Sequence, residues 1–156
     1  RKKELDAGFY IGKNPYVNVN TVYLTEMRFR VVAPPAWRER LSGMSNKELG
    51  KLPWIGISPL SSLHKLTSEL WREMNISPKK VAEVDHIPCI TSLVRAGVGL
   101  AIMREDEALV MQQAGDVVLV GDYSKTTELH FIYSADRAGD PIIEALLTEL
   151  DAMWHH

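Results

Sequence analysis

The chain has 156 residues, 46% of them hydrophobic, and a formal net charge of −2 from 18 basic and 20 acidic residues. This length and apolar content allow one ordinary domain with a buried core, so disorder is not expected. The balanced charge argues against a nucleic-acid-binding surface, which normally has a basic face. No apolar run approaches the roughly 20 residues of a membrane span. The single cysteine, Cys89, excludes an internal disulfide and is typical of a reducing, cytoplasmic compartment.

The first part of the chain is predicted to consist mainly of strands. Residues 5–9 form a short apolar segment that we interpret as a strand. From residue 22 to residue 33, successive side chains alternate in character, which is typical of a long strand with one drier face. Pro34 ends this strand, and two short helical segments are predicted at 36–42 and 46–52.

Strands and helices alternate over the remainder of the chain. Strands are predicted at residues 54–58, 80–85, 99–103, 117–120 and 128–134, and helices at 61–74, 88–96, 105–114 and 140–154. This order indicates an α/β fold in which a mostly parallel sheet carries helices on both faces.

The stretch from residue 92 to residue 105 contains a helix end, a glycine stop and a buried strand. Gly97 stands where the end of a helix favours a residue that can adopt a positive φ angle. The apolar run that follows, from Val98 to Met103, is interrupted only by Gly99. Such a run is typical of a strand that is covered on both faces.

The final helix is predicted to begin with Asp140 as its cap and Pro141 in its first turn. Its apolar stripe is wide: Ile142, Ile143, Leu146, Leu147, Leu150, Met153 and Trp154. We expect it either to fold back on the second part of the domain or to bury its stripe against another copy, because an exposed stripe would be an aggregating patch.

Two junctions between a strand and the following helix are candidates for ligand binding. The first consists of Ser58, Pro59, Leu60, Ser61 and Ser62, and the second of Asp85, His86 and Ile87 before Pro88. Parallel strands end at one edge of a sheet, so both junctions should face the same cleft. The hydroxyls and N–H groups of the first junction at a helix start would favour an anion. Simple capping of the helix by a serine is the competing interpretation.

The sequence offers little for catalysis or for a metal. His86 beside Asp85 could orient a nucleophile, and Cys89 lies three residues later, but no nucleophile elbow is present. The histidines His64, His86 and His130 lack paired ligand spacing. We therefore predict no catalytic residues, no metal and no cofactor.

Several segments resemble the effector-binding domain of LysR-type transcriptional regulators. In order, they are Leu5-Asp6-Ala7-Gly8-Phe9, Phe29-Arg30-Val31-Val32-Ala33-Pro34, Leu52-Pro53-Trp54-Ile55, Leu93-Val94-Arg95-Ala96-Gly97-Val98-Gly99-Leu100-Ala101 and Asp140-Pro141. Their order and spacing match the family over nearly the whole chain. The segment from Ala96 to Ala101 is the most specific of them.

The resemblance implies a periplasmic-binding-protein-like (type II) fold and a non-catalytic sensing module that binds a small anionic or polar effector. Residues 1–27 would be the tail of an incomplete regulatory subdomain I, 28–134 subdomain II, and 135–156 a helix that returns to subdomain I. The terminal residues 155–156 could be a tag remnant. DNA would be bound only through an N-terminal domain that this chain does not include.

The resemblance also implies a homo-oligomer. Its interface would be formed by the helix that begins at Leu63 and ends at Met74, and by the strand that begins at Lys80 and ends at Asp85. The competing interpretation of Leu63, Met74 and the apolar residues between them is ordinary core packing.

Two other functional classes compete with a regulator. A fragment of a periplasmic solute-binding protein would share the fold, and fold alone does not separate these classes. An enzyme is the third hypothesis, and it has no catalytic constellation to support it.

Overall fold

The structure, a computed structural model, describes residues 7–12, 16–59, 61–84 and 87–155. The strands are β1 (Ala7–Ile11), β2 (Val19–Ala33), β3 (Trp54–Ile57), β4 (Lys80–Val84), β5 (Ala101–Arg104) and β6 (Val118–Ser134). The helices are α1 (Arg38–Leu41), α2 (Asn46–Leu49), α3 (Ser62–Met74), α4 (Ile87–Arg95), α5 (Glu105–Gln113) and α6 (Pro141–His155). The chain divides into two compact units, one being Arg28–Thr126 and the other the segments before and after it.

Strand directions are more mixed than the mostly parallel sheet that the sequence predicts. One sheet has the order β1-β6-β2-β5, in which β1 runs antiparallel to β6 and β2 antiparallel to β5. The other sheet pairs β3 and β4 in parallel. Helix α3 joins β3 to β4 directly, and two strands joined by a single helix are expected to run parallel. This expectation does not extend to β2 and β5, because several elements separate them along the chain.

The last two predicted strands form one continuous strand, β6, of 17 residues. The polar segment between the two predicted strands belongs to β6 as well, and a half-buried arginine of β2 binds its backbone. Arg30 donates from Nη2 to the carbonyl of Gly121 at 2.6 Å and from Nε to the carbonyl of Tyr123 at 3.2 Å. Its Nη1 pairs with Glu105 at 3.1 Å. These contacts lie between distant parts of the sequence, which a local pattern does not reveal.

The predicted buried strands form the centre of the Arg28–Thr126 unit. The side chains of Trp54, Ile55 and Leu100 are almost wholly buried. Leu100 donates its N–H to the carbonyl of Pro53 at 2.9 Å, and Ile55 donates to the carbonyl of Leu100 at 2.7 Å. A Cβ atom at Gly99 would lie 2.7 Å from the carbonyl oxygen of Pro53. Two of the segments that carry the family resemblance therefore pair with each other, and the pairing requires glycine at residue 99.

Gly97 ends helix α4 as predicted. Its φ angle is +89°, a conformation that L side chains rarely adopt. The N–H of Gly97 bonds to the carbonyl of Val94, and the N–H of Val98 to the carbonyl of Leu93, both at 3.0 Å. This is the paired bonding pattern of a Schellman cap.

The apolar stripe of α3 packs in the core, which confirms the competing interpretation of that helix. Its buried members are Leu63, Leu66, Leu70 and Met74. Trp71 is half-buried and meets the ring of Trp54 edge to face, with 5.6 Å between ring centroids. The indole nitrogen of Trp54 donates to the carbonyl of Leu49 at 3.0 Å, so this large buried ring keeps its hydrogen bond.

Helix α6 packs within the other unit and does not fold back on the second part of the domain, which was one of the two arrangements that we expected; burial against another copy stays a prediction. Leu150 is buried with Leu24 of β2 and Phe131 of β6, and Leu147 packs against the same cluster. Asp140 caps the helix as predicted, since its carboxylate accepts the N–H of Ile142 at 2.8 Å. The chain itself thus supplies a sheet face for α6, which the sequence pattern did not reveal.

Candidate functional site

The ends of β3 and β4 place the two predicted junctions at one edge of a parallel pair. Ile57 stands opposite Val84 in the register, so the two strands end side by side. Ser58, the first residue of one junction, donates its N–H to the carbonyl of Val84 at 2.7 Å. The backbones that enter the two junctions are therefore hydrogen-bonded to each other.

The predicted site residues are described to different extents. Ser58 and Ser61 are half-buried and Pro59 is exposed. Ser62 is the first residue of α3 and Ile87 the first residue of α4. Leu60, Asp85 and His86 lie outside the described residues.

Some polar groups of the loop before α3 form hydrogen bonds within the loop and with the first turn of the helix. The N–H of Ser61 donates to the carbonyl of Ser58 at 2.9 Å, so it is not available to an anion, contrary to the expectation for the N–H groups of this junction. The Ser61 hydroxyl accepts the N–H of Leu63 at 3.1 Å. The capping interpretation is thus confirmed for Ser61, which forms a compact turn that fixes the start of the helix.

The electrostatics of this edge follow from the helices that begin there. Neither α3 nor α4 has an acidic residue in its first turn. By contrast, α5 begins with Glu105, Asp106 and Glu107, which offset the partial positive charge of its amino terminus. The start of α3 keeps more of that positive field, which favours an anionic or polar group beyond the end of β3. Asp85 comes two residues before α4 in the sequence and adds a negative charge to the second junction.

The histidine and cysteine residues that the structure describes each lie in a different helix or strand. Within the described ranges, no group of three or more His, Cys, Asp or Glu side chains is placed to hold a metal ion. Cys89 is exposed in the first turn of α4, rather than buried as a lone cysteine more often is. His130 lies in β6, where its Nε2 atom is 3.1 Å from a carboxylate oxygen of Glu128.

Two cavities whose lining is fully described lie elsewhere in the Arg28–Thr126 unit. One, of about 520 Å³, is bounded by α1, the end of α5 and the start of β6. The other, of about 420 Å³, is bounded by the end of α3 and the turn toward β4. Neither cavity was predicted from the sequence, because the walls of each come from segments that share no motif.

Comparison with known protein families decides between the functional classes. A sequence model of the LysR substrate binding domain matches residues 1–154. The chain belongs to this family. It is the effector-binding module of a LysR-type transcriptional regulator, and the periplasmic solute-binding protein is the less supported alternative.

Solved structures agree with this fold. The apo regulatory domain of HypT from Salmonella typhimurium aligns with a TM-score of 0.77 at 13% identity, covering 96% of this chain and 73% of that one. The CcmR regulatory domain of Synechocystis PCC6803, in complex with 2-PG, gives 0.78 at 14% identity with coverage of 96% and 73%. The CrgA regulatory domain of Neisseria meningitidis gives 0.72 at 21%, with 96% and 75%. These likenesses establish the type II periplasmic-binding-protein-like fold.

No curated protein matches the chain in sequence. Among the described residues, no helix is both long and apolar enough to cross a bilayer.

Proposed function

We propose that this LysR substrate-binding domain senses a small anionic or polar effector at the carboxyl edge of β3 and β4. The site would comprise the junction from Ser58 to Ser62 and the junction from Asp85 to Ile87. The observation that carries the proposal is the hydrogen bond from Ser58 to Val84, which joins the strand ends that lead into the two junctions.

The chemistry of this edge supports a ligand with a carboxylate, a phosphate or a comparable polar group. The start of α3, whose first turn has no acidic residue, supplies a positive field, and half-buried serines supply short polar contacts. The complex of CcmR with 2-PG is an example of small-molecule binding by this fold. We further propose that the domain is non-catalytic, acts in the cytoplasm, and affects DNA only through an N-terminal DNA-binding domain.

Binding by variants with an added charge tests the effector site. Inorganic phosphate and a set of small organic acids would be titrated calorimetrically into the full chain. Ser58→Asp places a like charge at the site and should weaken acid binding by about tenfold. Ser92→Asp adds the same charge at an exposed position further along α4 and should leave binding within about twofold. Equal weakening by both variants, or none by Ser58→Asp, would contradict the proposed site.

We also propose that the chain forms a homo-oligomer through β4 and the outer face of α3. β4 is the last strand of its sheet, and Val81 in it is 53% exposed. The apolar face of α3 is used in the core, so the strand edge provides the larger part of the interface. An exposed edge of this kind is a ready template for pairing with a second copy.

A lysine at the edge strand tests the oligomer. Val81→Lys should shift the sedimentation coefficient toward that of the monomer, because a charge on an edge strand opposes pairing. Leu109→Lys, at an exposed apolar position on α5, is the matched control and should leave the oligomeric state unchanged. If Val81→Lys sediments like the parent chain, the interface lies elsewhere.

A further inference from the structure

The cavity of about 520 Å³ between α1, α5 and β6 has the size of a small-molecule site. It lies wholly within the Arg28–Thr126 unit, and its lining includes no residue of the β3 and β4 junctions. The cavity is therefore formed by different residues from the proposed effector site.

The walls of the cavity are held by two hydrogen bonds to the start of β6. The side-chain oxygen of Gln112, near the end of α5, accepts the N–H of Leu119 at 2.8 Å. Arg30, from β2, donates to the carbonyl of Gly121 at 2.6 Å. These bonds fix the strand against the end of α5, which lowers the entropic cost of ordering the cavity walls when a ligand binds.

The floor of the cavity is apolar. Leu41 at the end of α1 and Leu119 in β6 both line it and are half-buried, so part of each side chain is accessible. Val118 and Val120 also border the cavity but are almost fully buried, so they support this surface from behind. A short hydrocarbon group would be removed from water on contact with it.

The rim of the cavity is polar and carries one positive charge. Arg38, Ser42 and Gln113 are exposed around it, and Arg38 is the only charged residue in the lining. Within the described ranges, no carboxylate oxygen lies within 4.0 Å of the Arg38 guanidinium, whereas Arg30 is paired with Glu105. An arginine beside an apolar floor, with its donors unused, matches the planar geometry of a carboxylate.

We propose that this cavity is a second ligand site, for a small organic carboxylate with a short apolar body. The Arg38 guanidinium binds the carboxylate, Ser42 and Gln113 donate to its oxygens, and Leu41 and Leu119 contact the hydrocarbon. The inference does not rest on the effector site proposed above, since the two share no residue.

The test uses benzoate as the probe and benzamide as its neutral counterpart. In ¹H–¹⁵N spectra of the full chain, benzoate should produce saturable shifts of the Arg38 Nε–H and of the Gln113 side-chain amide. Benzamide should shift these signals by much less. Arg38→Gln should weaken benzoate binding by about tenfold, because it removes a charge-assisted hydrogen-bonding partner.

Arg40→Gln is the matched control, since it removes the same charge from the same short helix. Arg40 stacks on the ring of Trp37, with 4.8 Å from its guanidinium carbon to the ring centroid, and does not line the cavity. It should leave benzoate binding within about twofold. Ser42→Trp should occlude the mouth and abolish the shifts. Non-saturable shifts, equal losses in both arginine variants, or shifts confined to the amides near Ser58 would each overturn the proposal. The last outcome would leave the proposed effector site supported, so the two failures are distinguishable.

Discussion

Helices α3 and α6 both carry wide apolar stripes, yet the structure treats the two stripes differently. In α3, Leu63, Leu66, Leu70 and Met74 are all buried. In α6, Ile143 and Leu150 are buried, whereas Ile142, Leu146, Met153 and Trp154 are exposed. The apolar side chains of the α3 stripe all pack in the core of their own unit. Part of the α6 stripe is left exposed to solvent by its unit.

The comparison shows that an apolar stripe identifies a helix but does not identify the surface that covers it. For α3 the surface is β3, with Trp54 against Trp71. For α6 it is the sheet face around Leu24 and Phe131, which reaches only one side of the helix. Substitutions at matched positions of the two helices should therefore have unequal effects.

The largest expected effect is the loss of stability when a buried leucine of α3 is replaced by alanine, compared with an exposed leucine of α6. Leu70→Ala should lower the free energy of unfolding by about 3 kcal/mol, because it leaves a cavity beside a residue that is 2% exposed. Leu146→Ala, at a residue that is 41% exposed, should cost less than about 1 kcal/mol. Urea denaturation of both variants measures the difference. Similar losses would contradict the comparison.

A smaller destabilisation is expected at Gly99, where the segment from Leu93 to Ala101 comes close to the backbone of Pro53. Gly99→Ala should cost about 2 kcal/mol, because its Cβ would meet the backbone of Pro53. Gly56→Ala is the control: its Cβ would meet only the flexible side chain of Lys80, which can move away, so the loss should be under about 1 kcal/mol. Thermal unfolding of the two variants compares them, and a larger loss at Gly56 would show that the close approach at Gly99 is relaxed easily.

The exposed part of the α6 stripe predicts self-association of the chain. A variant with both Leu146→Lys and Trp154→Lys should lower the weight-average mass seen by light scattering, because it removes apolar area from the surface. The paired control, Leu109→Lys with Val110→Lys, changes an exposed apolar pair on α5 and should not do so. An unchanged mass for the α6 variant would mean that this face does not drive association.

The smallest expected effect concerns the cap of α6 in acid. The N–H of Ile142, together with Arg137, holds the pKa of Asp140 below its ordinary value of 3.8. The ionised cap therefore stabilises the fold above that value, and this contribution is lost as the pH falls through the lowered pKa. Asp140→Asn keeps a capping side chain but should flatten the acid limb of the stability curve.

The control for this prediction is Asp136→Asn in the preceding turn. Chemical denaturation at several pH values between about 2 and 6 measures the slope for each variant. If Asp136→Asn flattens the acid limb as much as Asp140→Asn, the lowered pKa of the cap is not the cause.

Sequence patterns correctly predicted the features that depend on residues close together in the chain. The cap at Gly97, the start of α6 at Asp140 and the buried stripe of α3 each depend on residues within one or two turns of the chain. The edge shared by Ser58 and Val84 followed from a general rule for a strand, a helix and a second parallel strand.

Features that depend on distant residues could not be predicted in this way. The continuity of β6 depends on Arg30, about 90 residues earlier in the chain. The antiparallel pairing of β2 with β5 and the face that covers α6 depend on elements far apart in sequence. The hydrogen bond from the N–H of Ser61 to the carbonyl of Ser58 joins residues close in sequence. It could not be predicted because it depends on the backbone shape of the turn rather than on residue type.

The most direct test of effector binding at the β3 and β4 edge is an amide NMR titration of the full chain with inorganic phosphate and small organic acids. Binding there predicts saturable shifts that are largest for the amides of Ser58, Ser62 and Leu63 and for those of Ile87 and Cys89. Saturable phosphate binding that leaves these amides unmoved would contradict the proposed effector site.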